Sequence, residues 1–108
     1  MYILVEEFPY FPNLNDYIST HIKYPKNALL KNISGTVLVS FIVSEKGKLK
    51  NIHIKTSVHK DLDKEAMRVL KGMPKWRPGR NNGRPIDKEY ELPIIFSIVS
   101  KANLKFIY

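Results

Sequence analysis

The sequence predicts an α+β domain in which a small antiparallel sheet, made of a hairpin and a long C-terminal edge strand, is packed by two or three short helices. Apolar residues alternate over residues 36–44 and 49–56, and a glycine-containing turn separates the two runs, which is typical of a hairpin. A stripe of apolar residues at helical spacing follows, and residues 86–99 alternate again. With 108 residues, the chain has room for one core.

Three short elements are predicted before the hairpin. Residues 2–8 are rich in β-forming residues, but the prolines that follow limit them to a short strand or a peripheral strap. Helical spacing of apolar residues predicts a helix from an N-cap at Asn13 to about Ile22. Because proline excludes the preceding residue from the helical region and suits a first helical position, a second helix is predicted from Pro25 to about Asn32.

The hairpin and the long helix are expected to supply most of the core. In the first strand, alternation places Val37, Val39, Phe41 and Val43 on one face. The helix is predicted to be capped by Asp61 and to end at Gly72 and Pro74. Its stripe consists of Leu62, Ala66, Val69, Leu70 and Met73.

The last strand, residues 86–99, is predicted to be an edge strand. Proline cannot donate to a ladder, so Pro93 should direct its missing donor outward. The first half of the strand carries charges and the second half is apolar, which suits the addition of a peptide strand. The buried face is predicted to comprise Tyr90, Leu92, Ile94, Phe96 and Ile98. Residues 1–99 are interpreted as one domain, and residues 100–108 as a tail with a further short strand at 102–107.

The composition excludes several classes of function. The absence of cysteine excludes disulfides, thiol nucleophiles and cysteine-based metal sites. His21, His53 and His59 have no metal-ligand spacing, and the acidic residues at 61–65 are assigned to the first turn of a helix, where they complement its dipole. Without a nucleophile or phosphate-binding motif, the sequence predicts neither an enzyme nor a metal or cofactor site. No stretch reaches the roughly 20 apolar residues that span a bilayer, and no signal peptide is recognised.

The formal charge of +8 makes acidic partners worth testing. Cations gather before the last strand, at Lys71, Lys75, Arg77, Arg80 and Arg84, with Trp76 among them. This pattern keeps a nucleic-acid or anionic-surface binding module open as a second interpretation. A single tryptophan between a helix end and a proline is more often part of the core, so we favour the strand edge as the functional site.

Several motifs, in this order along the chain, resemble the C-terminal domain of TonB-type energy transducers of Gram-negative envelopes. They are Tyr24-Pro25-x-x-Ala28, Ile33-x-Gly35-x-Val37, Phe41-x-Val43, Gly47-x-Leu49, Leu62-Asp63-Lys64-Glu65-Ala66, Met73-Pro74-Lys75-Trp76-x-Pro78-Gly79, Gly83-x-Pro85 and Tyr90-x-x-Pro93-x-x-Phe96. The segment Val5-Glu6-Glu7-x-Pro9-x-Phe11-Pro12 resembles an upstream segment of one branch of that family. The resemblance covers about residues 2–99.

The resemblance implies a periplasmic interaction domain with a mechanical function and with no cofactor, metal or nucleic acid. Such domains bind the TonB box, a short segment of outer-membrane transporters, by β-augmentation, and couple the inner-membrane proton gradient to nutrient uptake. ExbB/ExbD-type motor proteins would contact the missing N-terminal part of the transducer. By position, the peptide-binding residues are His21, Ile22, Lys23, Tyr24, Pro25, Glu89, Glu91, Pro93, Ile95 and Ser97.

The sequence also bears on the extent of the chain and on its assembly. A complete transducer has a membrane helix and a proline-rich spacer, which this sequence lacks, so a fragment is expected rather than a free-standing relative. An exposed edge can also be used to form a strand-exchanged homodimer. The tail is expected to pair with the same edge in the free protein.

Overall fold

The computed structural model describes residues 5–100 and 105–107. The elements are β1 (Glu6–Glu7), α1 (Leu14–His21), α2 (Lys26–Leu30), β2 (Gly35–Val43), β3 (Leu49–Thr56), α3 (Lys60–Lys71), β4 (Gly79–Asn81), β5 (Arg84–Ile86), β6 (Lys88–Ser100) and β7 (Lys105–Ile107). The described strands form a four-stranded sheet of order β3-β2-β6-β7 and a three-stranded sheet of order β1-β4-β5. All of the strand pairs are antiparallel, and the predicted α+β class is confirmed.

The core lies between the helices and one face of the four-stranded sheet. The predicted hairpin is confirmed: β3 has the predicted bounds, and β2 begins and ends one residue earlier than expected. All four predicted inward residues of β2 are fully buried. Their partners in the core are Leu92, Ile94 and Phe96 of β6, Leu62, Ala66, Val69 and Leu70 of α3, Ile18 of α1 and Ala28 of α2.

Two helix caps differ from the prediction. Asn13 stands at the N-cap position of α1, but its backbone is left-handed and its side chain makes no cap hydrogen bond. Its carbonyl instead accepts from the Tyr17 N–H at 3.0 Å. The cap of α3 is His59, whose ring Nδ1 accepts from the backbone N–H of Asp61 at 3.2 Å. The predicted cap Asp61 therefore lies inside the first turn, where an acidic side chain interacts favourably with the helix dipole.

The segment before the last strand, which the sequence predicts to be a loop, contains a second hairpin. β4 and β5 pair across Asn82 and Gly83, whose φ angles of 52° and 81° are those of a tight hairpin turn. The predicted strand over residues 86–99 is therefore divided, since Ile86 belongs to β5 and β6 begins at Lys88. β1 pairs with β4, and Tyr10 forms an isolated bridge with Arg77, so residues 5–10, here called the strap, are held in place at both ends. Residues 2–4 of the predicted strap lie outside the described residues.

Trp76 is part of the core, as the sequence predicted, and is only 3% exposed. Its ring lies between Phe11, Phe41 and Tyr90, with centroid separations of 5.0 to 5.5 Å. The turn between β2 and β3 packs on its backbone, because the Trp76 N–H donates to the Gly47 carbonyl at 2.9 Å. A Cβ at Gly47 would lie 2.1 Å from the Trp76 carbonyl oxygen, and φ there is +83°. Only glycine therefore fits this turn without displacement.

The outer face of the four-stranded sheet is bridged by ion pairs. Lys50 and Lys55 of the β3 strand reach across β2 to Asp87 at 2.7 Å and to Glu91 of β6 at 2.6 Å. Asp87 also accepts from the backbone N–H of Glu45 at 2.8 Å. These hydrogen bonds, that from Lys50 first, lower the pKa of Asp87 below its ordinary value.

Replacing Asp87 with Asn should therefore reduce stability in a way that depends on pH. A carboxylate whose pKa is lowered by folding stabilises the native state above its ordinary pKa of 3.8, and this contribution is lost as the pH falls through the lowered value. Denaturant unfolding from neutral pH to pH 2 should show Asp87→Asn less stable than the native protein near neutrality, with the difference closing in acid. In a Lys50→Ala background the difference should be smaller throughout. A difference that persists undiminished at pH 2 would contradict the role of the charge.

Candidate functional site

One side of β6 is open over most of its length. On its other side, β6 pairs with β2 from Lys88 to Phe96 without a register shift. β7 covers the open side only at residues 97–100. Within the described residues, no strand pairs with that side between Lys88 and Phe96. Its backbone donors and acceptors are therefore available to an added strand.

Pro93 indicates which backbone groups of β6 face outward. It lies opposite Leu38 in the middle of the regular pairing with β2. Since proline has no N–H and the register continues through it, the position of the missing donor should face away from β2. Alternate residues of an antiparallel strand direct their backbone groups to the same side. That Glu89, Glu91, Ile95 and Ser97 share the open edge with Pro93 follows from this reasoning and stays a prediction.

The other edge of the same sheet, β3, is a poorer docking edge. Its pairing with β2 has irregularities between Leu38 and Val39 and between Ser40 and Ile42. Asn51, within β3, has a left-handed φ of 53°. Such bulges bend a strand and interrupt the continuous ladder that a further strand needs. β6 is therefore the better edge for strand addition.

The predicted side chains of β6 lie on the outer face of the sheet and divide into two groups. Glu89 accepts from the Ser40 hydroxyl at 3.2 Å, and Glu91 is held by Lys55. Hydrogen bonding to Glu91 raises the pKa of Lys55, so its ammonium group is charged at neutral pH. Pro93 is exposed, and Ile95 is 44% exposed. The outer face thus changes from acidic to apolar along β6, as the sequence predicted.

The second predicted contact region, residues 21–25, is here called the connector because it joins α1 to α2. Two residues of α3 fix its backbone: Glu65 accepts from the Lys23 N–H at 2.6 Å, and Arg68 donates to the His21 carbonyl at 2.8 Å. Glu65 and Arg68 also pair with each other at 2.7 Å, and this hydrogen bond raises the pKa of Arg68. The connector is therefore held rigidly against α3.

Tyr24 brings the connector to β6. Its ring meets that of Phe96 edge-on at 5.6 Å, and its hydroxyl donates to the Ile33 carbonyl. The connector thus lies beside the end of β6 that carries Ile95 and Ser97. Glu89 is about 24 Å from Phe96 along an extended strand. The structure therefore brings together only part of the predicted set of site residues.

The remaining connector residues have structural contacts of their own. The His21 ring stacks on Tyr17 at 3.9 Å, and its Nδ1 lies 2.8 Å from the Tyr17 carbonyl. Ile22 is half-buried and ends α1 by donating its N–H to Ile18 at 2.8 Å. These contacts further restrict the connector at the end of α1.

The tail of the chain occupies one end of the open edge. Ser97 is opposite Ile107, and Ile98 is opposite Phe106. Residues 105–107 of the tail pair with the last strand, and residues 102–104 of the predicted strand lie outside the described residues. Of the predicted peptide-binding residues, Ser97 is therefore already paired within the chain.

The hold of α3 on the connector, here called the connector clamp, does not follow from the sequence patterns. They assign the whole acidic run at residues 61–65 to the first turn of α3, and this is correct only for Asp61 and Asp63. Glu65 lies one turn later and binds the connector. The spacing of Glu65 and Arg68, three residues apart on one helix face, is the available signal. It indicates that the two residues pair, but it does not identify the backbone that they hold.

The basic segment before β6 gives the nucleic-acid interpretation no support. The buried Trp76 ring cannot stack on a base. Arg80 donates to the Gly83 carbonyl at 3.0 Å within its own hairpin, and the Arg77 guanidinium lies 5.8 Å from the centre of the Tyr10 ring.

In the described part of the chain, no group of three or more His, Cys, Asp or Glu residues could hold a metal ion. No helix there is long and apolar enough to cross a membrane.

Comparisons with known proteins agree with this architecture. A family model described as Gram-negative bacterial TonB protein C-terminal matches residues 20–98, a range that includes the connector and most of β6. Among solved structures, the NMR solution structure of the Helicobacter pylori TonB-CTD (residues 194-285) is similar. The two are 25% identical, the match covers 82% of this chain and 92% of that chain, and the TM-score is 0.61. No curated protein sequence matches the chain significantly.

Replacing Glu65 with Ala should release the connector. The Lys23 N–H and Arg68 would lose a charged acceptor, which should lower the free energy of unfolding by about 2 kcal/mol. Amide hydrogen exchange at Lys23 should accelerate. The matched control is Glu45→Ala, because Glu45 is exposed and its carboxylate makes no hydrogen bond or ion pair with the described residues. The effect of this control should stay within about 0.5 kcal/mol. Unchanged protection of the Lys23 amide in Glu65→Ala would contradict the clamp.

Proposed function

The chain belongs to the family of Gram-negative TonB C-terminal domains, and from this premise we propose that it binds the TonB box of outer-membrane transporters as a strand added to β6. The family consists of periplasmic interaction domains that act on outer-membrane transporters. The observation that carries the proposal is the regular side of β6 between Lys88 and Phe96, with which no described strand pairs.

Strand addition explains how such an edge would recognise a short peptide. Backbone hydrogen bonds would hold the peptide in register, and alternate side chains would lie beside Pro93 and Ile95 on the outer face. The connector would form the second side of the site, next to Phe96. Each backbone hydrogen bond contributes about 1 kcal/mol net, and ordering the peptide offsets part of this. We therefore expect moderate affinity and fast exchange.

The proposed mechanical activity is the transfer of force through this added strand. A load directed along β6 acts on all of the hydrogen bonds of the added strand in parallel, so a short segment can sustain it. The force would come from the inner-membrane proton gradient through ExbB/ExbD-type motor proteins. No catalytic chemistry is required of the domain.

Replacing Ile95 with Pro should weaken peptide binding specifically. Proline removes one backbone donor that the proposed site directs to the peptide, whereas Ile95→Ala keeps that donor and removes only the side chain. Titration of the isotope-labelled chain with a synthetic TonB-box peptide should shift amides of residues 89–97 and of the connector. Ile95→Pro should weaken affinity about ten-fold, and more than Ile95→Ala does.

The edges of the sheet provide the internal control for this titration. Shifts confined to β3 would assign the peptide to the wrong edge, and the absence of shifts in β6 would reject the proposed site. Thermal unfolding of both variants distinguishes a lost peptide donor from a damaged sheet. If Ile95→Pro unfolds at a much lower temperature than Ile95→Ala, then the Ile95 N–H bonds to β2 and the assigned orientation is wrong.

Removing the tail should expose the end of β6. Deletion of residues 101–108 would leave Ser97 and Ile98 unpaired, so peptide binding should tighten several-fold or the chain should dimerise. Because the deletion also removes two lysines, Ile107→Pro is the charge-matched variant. Ile107 lies opposite Ser97, whose backbone groups are assigned to the open edge, so proline there removes a donor of the β6–β7 pairing. Calorimetry and sedimentation should show the same change for both variants. An unchanged affinity together with an unchanged monomer would refute competition by the tail.

A further inference from the structure

A groove of about 520 Å³ lies between α3 on one side and the connector and the start of α2 on the other. It lies on the side of the connector where α3 packs. Its charged lining residues are Lys23, Lys26, Lys64, Arg68, Asp61 and Glu65. Four cations thus face two carboxylates.

Of the two carboxylates of the groove, that of Glu65 already has hydrogen-bonded partners. Glu65 accepts from the Lys23 N–H and from Nε and Nη2 of Arg68, and its side chain is only 11% exposed. The Asp61 carboxylate lies 3.9 Å from Nδ1 of His59, but this nitrogen accepts from the Asp61 N–H and is therefore no donor to the carboxylate. By contrast, the ammonium groups of Lys23, Lys26 and Lys64 make no ion pair or hydrogen bond with the described residues. The groove therefore has a local positive potential that an anion would neutralise.

The connector links the groove to the end of the open edge. Tyr24, between the groove residues Lys23 and Pro25, contacts Phe96 of β6. Beyond Phe96, β7 occupies the edge at residues 97–100. A peptide on β6 would therefore have to leave the strand near Phe96, beside the connector, unless it displaced the tail.

We propose that this basic groove binds carboxylate side chains of the peptide segment that flanks the strand bound to β6. The inference rests on the proposed function, because it assigns the groove to the same partner. A flanking acidic segment fits the charge of the groove and its position along the path of the peptide. Two or three exposed lysine–carboxylate contacts would add specificity rather than most of the affinity.

The test compares matched peptides. A synthetic TonB-box peptide is extended at each end in turn by three Asp residues or by three Asn residues, and each is titrated into the full chain by calorimetry and amide NMR. For the end that leaves near Phe96, the Asp peptide should bind about five-fold more tightly than the Asn peptide, and salt should reduce this advantage. The advantage should fall below two-fold in Lys26→Gln/Lys64→Gln. It should persist in Lys31→Gln/Lys46→Gln, which removes two exposed lysines outside the groove.

Each other result overturns the inference in a recognisable way. If the Asp and Asn peptides bind equally and shift β6, strand addition stands but the groove does not contribute. If the advantage survives in Lys26→Gln/Lys64→Gln, it comes from the net charge of the domain. If the chain instead sediments with phosphatidylglycerol vesicles through Lys26 and Lys64 and shows no peptide preference, the groove serves a lipid surface. If neither peptide shifts β6, the proposed function itself fails.

Discussion

The regular antiparallel pairing of β2 with β6 is the constraint on which the rest of the structure depends. β2 is paired on both sides and contributes four fully buried apolar side chains, so it fixes the plane against which the helices pack. The register of β2 with β6 is uninterrupted, so one face of β6 packs into the core. No described strand pairs with the edge of β6 that faces away from β2 before residue 97. The same pairing accommodates Pro93 without a bulge. The core and the binding edge are thus two consequences of one register.

The sequence predicted those parts of the fold that depend on local periodicity. Alternation was sufficient for β2, β3 and the buried face of β6, and helical spacing was sufficient for α3, because each pattern is set by the core that the element faces. The hairpin of β4 and β5 was missed although Asn82-Gly83 is a strong turn signal. Its flanking strands have three residues each and are rich in cations and proline, so alternation could not reveal them.

Less of the candidate site than of the fold could be predicted from the sequence. Pro93 identified β6 as an edge strand by a physical argument, whereas the connector was included through family resemblance alone. The contact of Tyr24 with Phe96 and the hold of Glu65 on Lys23 join residues far apart in the chain, and no local pattern contains that information. Packing in three dimensions explains why the connector lies beside Ile95 and away from Glu89.

Trp76 is the only tryptophan of the chain, and its surroundings give it a further property. Phe11 follows the strap, Phe41 belongs to the first hairpin and Tyr90 to the last strand, and all three rings contact the indole. Separation of any of these segments would change the polarity around one chromophore. Intrinsic fluorescence therefore reports the integrity of segments drawn from almost the whole sequence. The emission of this ring offers a label-free measure of whether a pulled or truncated domain opens as one cooperative unit or in stages.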